Sequence, residues 1–195
     1  MYKRIKSTMD FSFALILCVF LVGPMLLIGL AVFLEGRPII FKQKRSGKDG
    51  RDFVIYKFRT MINKATADEN EAYVSNLGKF LRRFGLDELP QIFNVLKGDM
   101  SFIGPRPLLP QYLPLYTKEE KNRFEVRPGL SGLAQVSGGN SLTWRQRLEK
   151  DIQYVDNISL GLDLKIFFKT LLLPIKRLKS SEKEFLPSAP FEGND

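Results

Sequence analysis

Two adjacent carboxylates, Asp87 and Glu88, are the side chains of this sequence best suited by type and position to catalysis. They open the stretch 87–98, where apolar residues recur at helical spacing, with Pro90 in the first turn and Gly98 at the end. The pattern predicts a helix with Asp87 as its N-cap, a purely structural role. A helix N-terminus also binds phosphate, and a carboxylate there can act as a nucleophile or hold Mg²⁺. Both roles remain open at this point.

Basic side chains supply the complement that phosphate chemistry needs. Lys57 and Arg59 alternate along the β-type run 52–59, so both are expected on one face of a strand. Arg106 stands between two prolines, and the stiff backbone limits the entropy that its side chain loses on gripping a phosphate. Each of these cations could equally be a solvated surface charge.

Composition narrows the chemistry further. The 195 residues are enough for one domain with a substantial core. The chain contains no histidine and a single cysteine, Cys18, which excludes imidazole bases, Ser-His-Asp catalysis and an internal disulfide framework. The formal net charge is +9, which favours a polyanionic partner. Nucleic acid is not the expected partner, because no recognised binding module is present.

An uncharged apolar run extends over residues 11–34. As a helix it would be about 36 Å long, enough to cross a bilayer core of about 30 Å. Basic residues flank the run on both sides, and a spanning helix would place one of these clusters against the positive-inside tendency. Gly23-Pro24 divides the run into halves too short to span alone. A re-entrant helix broken at this point is therefore preferred over a single transmembrane helix.

The rest of the sequence predicts an α/β domain with few strands. Residues 38–43 and 52–59 are expected to form a β-hairpin, and residues 63–73 a polar loop or surface helix. Apolar periodicity predicts further helices over 78–84, 118–126, 142–155 and 162–178. The last is amphipathic and basic, suited either to the membrane interface or to the core. The expected organisation is an anchor over 1–36, a catalytic domain over 37–180 and a loose tail over 181–195.

Three motifs carry a resemblance to a known family. They are YKFRTM (56–61), LDELPQIFNVLKGDMSFIGPRPL (86–108) and RPGLSGLAQVSGGN (127–140). In order and spacing they resemble the bacterial sugar transferases, small monotopic polyprenyl-phosphate phosphoglycosyl transferases. The resemblance implies transfer of a sugar 1-phosphate from a UDP-sugar to undecaprenyl phosphate at the cytoplasmic face of the bacterial inner membrane. It also implies a compact helix-rich domain, a re-entrant membrane helix in contact with lipid of the cytoplasmic leaflet, and dependence on Mg²⁺.

The resemblance also assigns roles to individual residues. By position, Asp87 becomes the nucleophile and a Mg²⁺ ligand, with Glu88 as its partner. Lys57, Arg59 and Arg106 become phosphate or nucleotide contacts, and Asp163 a supporting polar residue at the substrate site. Two alternatives stay open: direct displacement without a covalent intermediate, and an inactive membrane-anchored scaffold for glycan enzymes. The sugar and the oligomeric state are not specified.

Overall fold

The structure is a computed structural model that describes residues 2–63, 72–178 and 190–193. Its helices are α1 (Tyr2–Leu34), α2 (Asn76–Phe84), α3 (Ile92–Lys97), α4 (Leu133–Ser137), α5 (Trp144–Asp156) and α6 (Leu160–Leu178). Its strands are β1 (Ile40–Ser46), β2 (Asp52–Phe58), β3 (Met61–Asn63), β4 (Ala72–Val74), β5 (Ser101–Ile103) and β6 (Gly129–Ser131). The expected class, a helix-rich α/β domain with few strands, is confirmed, and its strands form three short pairs among the described residues.

The predicted hairpin is confirmed, and its first strand begins and ends later than the predicted range 38–43. β1 and β2 pair antiparallel from Ile40–Phe58 to Ser46–Asp52. Their connection is a tight turn in which Asp49 and Gly50 both adopt positive φ, 57° and 71°. β3 and β4 form a second antiparallel pair that the sequence did not indicate. The predicted loop or helix over 63–73 falls largely on residues outside the described part of the chain.

The predicted break at Gly23-Pro24 is wrong: α1 continues through both residues as one helix. Proline has no N–H to donate, so one backbone carbonyl a turn earlier loses its helical partner, but the neighbouring bonds maintain the helix. Both halves of α1 pack on the same domain. Ala14 lies in a buried cluster with residues of β2 and α3, and Val32 lies in another with Phe58 and Leu81.

The opposite face of α1 is apolar and uncovered. It is the one described helix long and apolar enough to cross a membrane, and only 6% of its most apolar window is buried inside the protein. Helix α6 shows a similar uncovered row. The exposed large apolar residues of these two helices include Leu15, Ile16, Val19, Phe20, Leu26, Leu27, Leu30, Leu34, Phe168, Leu171, Leu172 and Ile175. Large exposed apolar surfaces mark membrane or protein contacts.

The helix predicted to start at Asp87 begins later. Residues Leu86–Gln91 form a 3-10 segment, and α3 follows from Ile92. Gly85, left-handed at φ 70°, ends α2 directly before this segment, and Asp87 makes no capping hydrogen bond. The end of the helix is as predicted, since Gly98 is left-handed at φ 81°. The helix predicted over 118–126 is likewise a 3-10 segment, Glu120–Glu125.

The far side of the domain has an aromatic core that includes part of the expected loose tail. Tyr112, Tyr116, Phe124 and Phe191 are all buried there, with Trp144 packed against them. The Phe191 ring stacks on Tyr116 at a centroid distance of 5.4 Å. Phe191, within the expected loose tail, is therefore packed on the domain.

Candidate active site

The carboxylate pair lies in the 3-10 segment Leu86–Gln91, which packs against β2. Helix α3, which follows, is attached to the same strand through Asn94. Its side-chain amide donates to the Val54 carbonyl at 2.7 Å, and its oxygen accepts from the Tyr56 backbone N–H at 3.3 Å. Asn94 is fully buried. This attachment fixes the distance between the carboxylates and Lys57 on β2.

Glu88 is held by two cations. Its Oε1 accepts from Lys57 Nζ at 2.5 Å and from Arg106 Nη2 at 2.7 Å, and its Oε2 accepts from Arg106 Nη1 at 3.4 Å. Burial alone would raise the pKa of Glu88, but the charges and hydrogen bonds of Arg106 and Lys57 hold that pKa well below its usual range. Glu88 is therefore a permanent anion that fixes two cationic side chains.

Asp87 has the opposite character. Its residue is 8% exposed, and within the described part of the chain its carboxylate has no hydrogen bond or ion pair. Burial and the neighbouring charge of Glu88 raise the pKa of Asp87, although Lys57, Arg82 and Arg106 act in the other direction. A carboxylate with poor solvation and free lone pairs is available as a nucleophile or as a metal ligand.

Arg106 lies in the loop after β5, and two contacts define the position of that loop. Gly104 and Gly129 approach so closely that a Cβ on Gly129 would lie 2.1 Å from the Gly104 nitrogen. On the other side, Arg123 Nη2 donates to the Arg106 carbonyl at 2.7 Å. Arg123 also forms a buried ion pair with Asp151 of α5, again at 2.7 Å. The guanidinium of Arg106 itself stays half-exposed, facing solvent and Glu88.

The other two predicted site residues lie apart from this cluster. Arg59 makes no contact with Glu88; its Nη1 donates to the Arg37 carbonyl at 2.8 Å, beside the end of α1. Asp163 is buried in a polar cluster beneath the start of α1. It accepts from the hydroxyls of Tyr2 at 2.6 Å and Tyr154 at 2.8 Å, and it pairs with Lys6 at 2.7 Å.

Sequence reasoning missed Arg123 and Asp151. They are 28 positions apart, on a 3-10 segment and on α5, and nothing in their local sequence distinguishes them from surface charges. Their burial, with side chains 2% and 4% exposed, is visible only in the folded chain. The motif RPGL, four residues after Arg123, was the nearest available signal.

The described residues contain no group of three or more histidine, cysteine, aspartate or glutamate side chains that could enclose a metal ion. Mg²⁺ in nucleotide enzymes needs less than this, since one or two carboxylates suffice when substrate phosphates and water complete its shell. The free carboxylate of Asp87 fits that requirement. Glu88 fits it poorly because its oxygens are engaged by Lys57 and Arg106.

Comparison with known proteins identifies the family of the chain. The family model described as bacterial sugar transferase matches residues 1–177 of the chain. The chain belongs to the bacterial sugar transferase family. The match includes α1, the carboxylate pair and the cations around it, so the apolar helix and the candidate site lie within the same family match.

Among the relatives of this sugar transferase is the uncharacterized sugar transferase EpsL of Bacillus subtilis, 46% identical over 75% of this chain and 73% of its own length. The UDP-N-acetylgalactosamine-undecaprenyl-phosphate N-acetylgalactosaminephosphotransferase of Aeromonas hydrophila is 41% identical over 87% of this chain and 43% of its own. The undecaprenyl-phosphate galactose phosphotransferase of Salmonella typhimurium is 34% identical over 90% and 41%. The chain thus spans about two fifths of the length of these two relatives, whose names state an activity.

Proposed function

We propose that this sugar transferase moves a sugar 1-phosphate from a UDP-sugar to undecaprenyl phosphate through a covalent intermediate on Asp87. The products are UMP and undecaprenyl diphosphate sugar, and the reaction begins glycoconjugate synthesis at the cytoplasmic membrane face. The observation that carries the proposal is the contrast between the two carboxylates. Asp87 is buried and makes no hydrogen bond or ion pair among the described residues, whereas Glu88 is engaged by Lys57 and Arg106.

The chemistry balances in two steps. An Asp87 carboxylate oxygen attacks the β-phosphorus of the UDP-sugar, the bond from that phosphorus to the bridging oxygen breaks, and UMP leaves with the electron pair. A phosphate oxygen of undecaprenyl phosphate then attacks the same phosphorus and releases the Asp87 carboxylate. The attacking groups are a carboxylate and a phosphate anion, so neither step needs a histidine or another general base.

The cations of the site make such an encounter between anions feasible. Lys57 and Arg106 are fixed by Glu88 rather than by solvent, so they are oriented before substrate arrives. Arg106 keeps exposed N–H groups that can reach a phosphate oxygen. Asp87 would also hold Mg²⁺ together with substrate phosphate, and that ion would offset the charge that develops on the leaving phosphate.

The apolar surface supports a membrane-bound acceptor. The exposed faces of α1 and α6 provide the lipid contact, and both halves of α1 pack on the domain that holds Asp87. A monotopic position, with α1 entering the cytoplasmic leaflet without crossing it, brings the soluble nucleotide and the lipid-linked phosphate to one site. This position is part of the proposal.

Release of UMP in the absence of acceptor tests the mechanism. The purified chain with Mg²⁺ and a matching UDP-sugar should release up to one equivalent of UMP and gain a sugar-phosphate mass that maps to Asp87. The first UDP-sugars to test are UDP-galactose and UDP-N-acetylgalactosamine, because the names of two relatives include galactose and N-acetylgalactosamine. Addition of undecaprenyl phosphate should remove the adduct.

Two variants sharpen this test. Asp87→Asn should lose both the adduct and turnover, since a neutral amide is a poor nucleophile and a weaker metal ligand. Asp156→Asn, an exposed aspartate at the end of α5, makes the same chemical change outside the site and should retain both. Turnover without adduct or early UMP would favour direct displacement. No turnover with any UDP-sugar would favour the scaffold alternative.

A further inference from the structure

The guanidinium of Arg59 has unused hydrogen-bond donors in a buried position. Its Nη1 donates to the Arg37 carbonyl at 2.8 Å, while Nε and Nη2 are buried and have no partner among the described residues. An arginine side chain carries five N–H donors and cannot lose its charge. A buried donor left unsatisfied is destabilising, and more so when the group is charged. Such a group is expected to have a ligand.

The surroundings of Arg59 explain how it is held without neutralisation. It lies against Gly36 in the turn after α1, where φ is 119° and a Cβ would come within 3.3 Å of Arg59 Nη2. Glu35, the neighbouring acid, accepts from the Ser75 hydroxyl instead at 2.8 Å. Arg37, beside it, stacks its own cation over the Phe33 ring at 5.0 Å. The turn therefore positions Arg59, and no ion pair to its guanidinium is present among the described residues.

The position of Arg59, beside the end of α1, indicates which kind of anion it binds. Phe33 and Leu34, at the end of the uncovered apolar face, are 38% and 78% exposed, and the polar turn with Arg59 follows at once. A lipid-linked phosphate has its anionic group at the same boundary between acyl chain and water. Lys57, near the end of β2, already bonds Glu88, so Arg59, directly after the strand, is the cation left for a second phosphate.

We propose that Arg59 binds the phosphate monoester of the lipid-linked acceptor, at a subsite separate from the Lys57–Glu88–Arg106 cluster that receives the nucleotide sugar. The inference rests on the proposed function for the reaction in which this phosphate takes part. A displacement of the Arg59 side chain away from Gly36 would expose its unused N–H groups at the end of α1. There the planar fork would hold the acceptor phosphate while its attacking oxygen reaches the phosphorus on Asp87.

The test separates the two half-reactions. For Arg59→Ala in detergent, the KM for undecaprenyl phosphate should rise at least tenfold, and the preformed adduct should decay correspondingly slowly. UMP release without acceptor should change by less than about twofold. Arg59→Lys should recover only part of the acceptor affinity, because an ammonium lacks the fork. Arg51→Ala, an exposed arginine at the other end of the same hairpin, is the control and should behave as wild type.

Direct binding makes the result independent of catalysis. A short-chain polyprenyl phosphate should raise the Tm of wild-type protein and of Arg51→Ala, but not that of Arg59→Ala. Equal binding by Arg59→Ala would overturn the inference, as would a rise in the KM for the UDP-sugar alone. Weaker binding of Arg59→Ala to acceptor-free phosphatidylglycerol vesicles, with unchanged acceptor KM, would assign Arg59 to bulk lipid instead. Absence of UMP release by wild type would refute the proposed function, whereas the binding result would still decide the role of Arg59.

Discussion

The buried ion pair between Arg123 and Asp151 should control the position of Arg106, although neither residue touches the carboxylate pair. Arg123 Nη2 donates at 2.7 Å both to the Arg106 carbonyl and to Asp151 Oδ2. Its guanidinium also lies over the rings of Tyr116 and Phe124, at 5.6 and 5.4 Å. Asp151→Asn keeps the shape of this arrangement and removes one charge, which leaves the Arg123 cation buried and unpaired.

The magnitude follows from burial. The side chains of Arg123 and Asp151 are 2% and 4% exposed. For an ion pair buried to this extent, removal of one partner lowers the free energy of unfolding by about 3–5 kcal/mol. Asparagine keeps an acceptor oxygen, so the lower end, about 3 kcal/mol, is expected. At roughly 2–4 °C per kcal/mol for a domain of this size, the Tm should fall by about 6–12 °C. Turnover should fall as well, with the larger change in the KM for the UDP-sugar, since Arg106 loses its fixed position.

A double variant separates stability from positioning. Burial raises the pKa of Asp151 despite the opposing charge of Arg123, and Asp151 Oδ1 has no partner among the described residues, so the pair does not fully offset its desolvation. An apolar pair of similar size, Arg123→Met with Asp151→Leu, should therefore recover most of the lost Tm. Turnover should remain low because the Arg106 carbonyl still lacks its donor. Recovery of both together would refute the positioning role.

Three further outcomes are expected. Burial and the charge of Glu88 raise the pKa of Asp87, so in the Mg²⁺-free protein this carboxyl should titrate above about 3.9, the ordinary value for aspartate. Glu88→Gln should lower that pKa, and a rise would contradict the assignment. Arg106→Lys should reduce turnover about tenfold with unchanged Tm, which corresponds to a loss of about 1.4 kcal/mol of transition-state stabilisation, because lysine lacks the bidentate fork. Near-wild-type turnover would show that Arg106 is only a surface charge. In a Cys18→Ser background, a cysteine replacing the exposed Lys3 should resist an impermeant thiol reagent applied to intact cells, and labelling from outside would exclude the monotopic position.

The sequence predicted those elements whose signals are local. The hairpin and α5 followed from alternation, turn residues and apolar periodicity, and the left-handed Gly98 followed from its position after a periodic stretch. The same local reasoning failed at Asp87. An acidic residue three positions before a proline is typical of a helix start, but the left-handed Gly85 ends α2 immediately upstream, and the chain forms a 3-10 segment first.

The site was predictable only in part for a similar reason. The family motifs indicated Glu88, Lys57 and Arg106, and the fold brings these three together. The motifs did not separate Arg59 from Lys57, because alternation along a strand says nothing about which cation finds a carboxylate. The pairing of Arg123 with Asp151 depends on how α5 packs against the 3-10 segment Glu120–Glu125. A short window of sequence does not predict such long-range packing.

The contacts at the two ends of α1 bear most directly on how the chain meets the membrane. Near the start, Lys6 pairs with Asp163 at 2.7 Å, and Asp10 accepts from the Ser101 hydroxyl at 2.6 Å; just after the end, Glu35 accepts from Ser75 at 2.8 Å. A helix that crossed a bilayer would separate its ends by the apolar thickness, about 30 Å, and only one end could then reach the domain. Breaking the buried contacts of Lys6 and Asp10 to allow crossing would strand charged groups in lipid. The polar contacts at both ends and the uncovered apolar face between them support the proposed monotopic position, in which the domain lies on one side of the membrane and α1 enters the lipid only from that side.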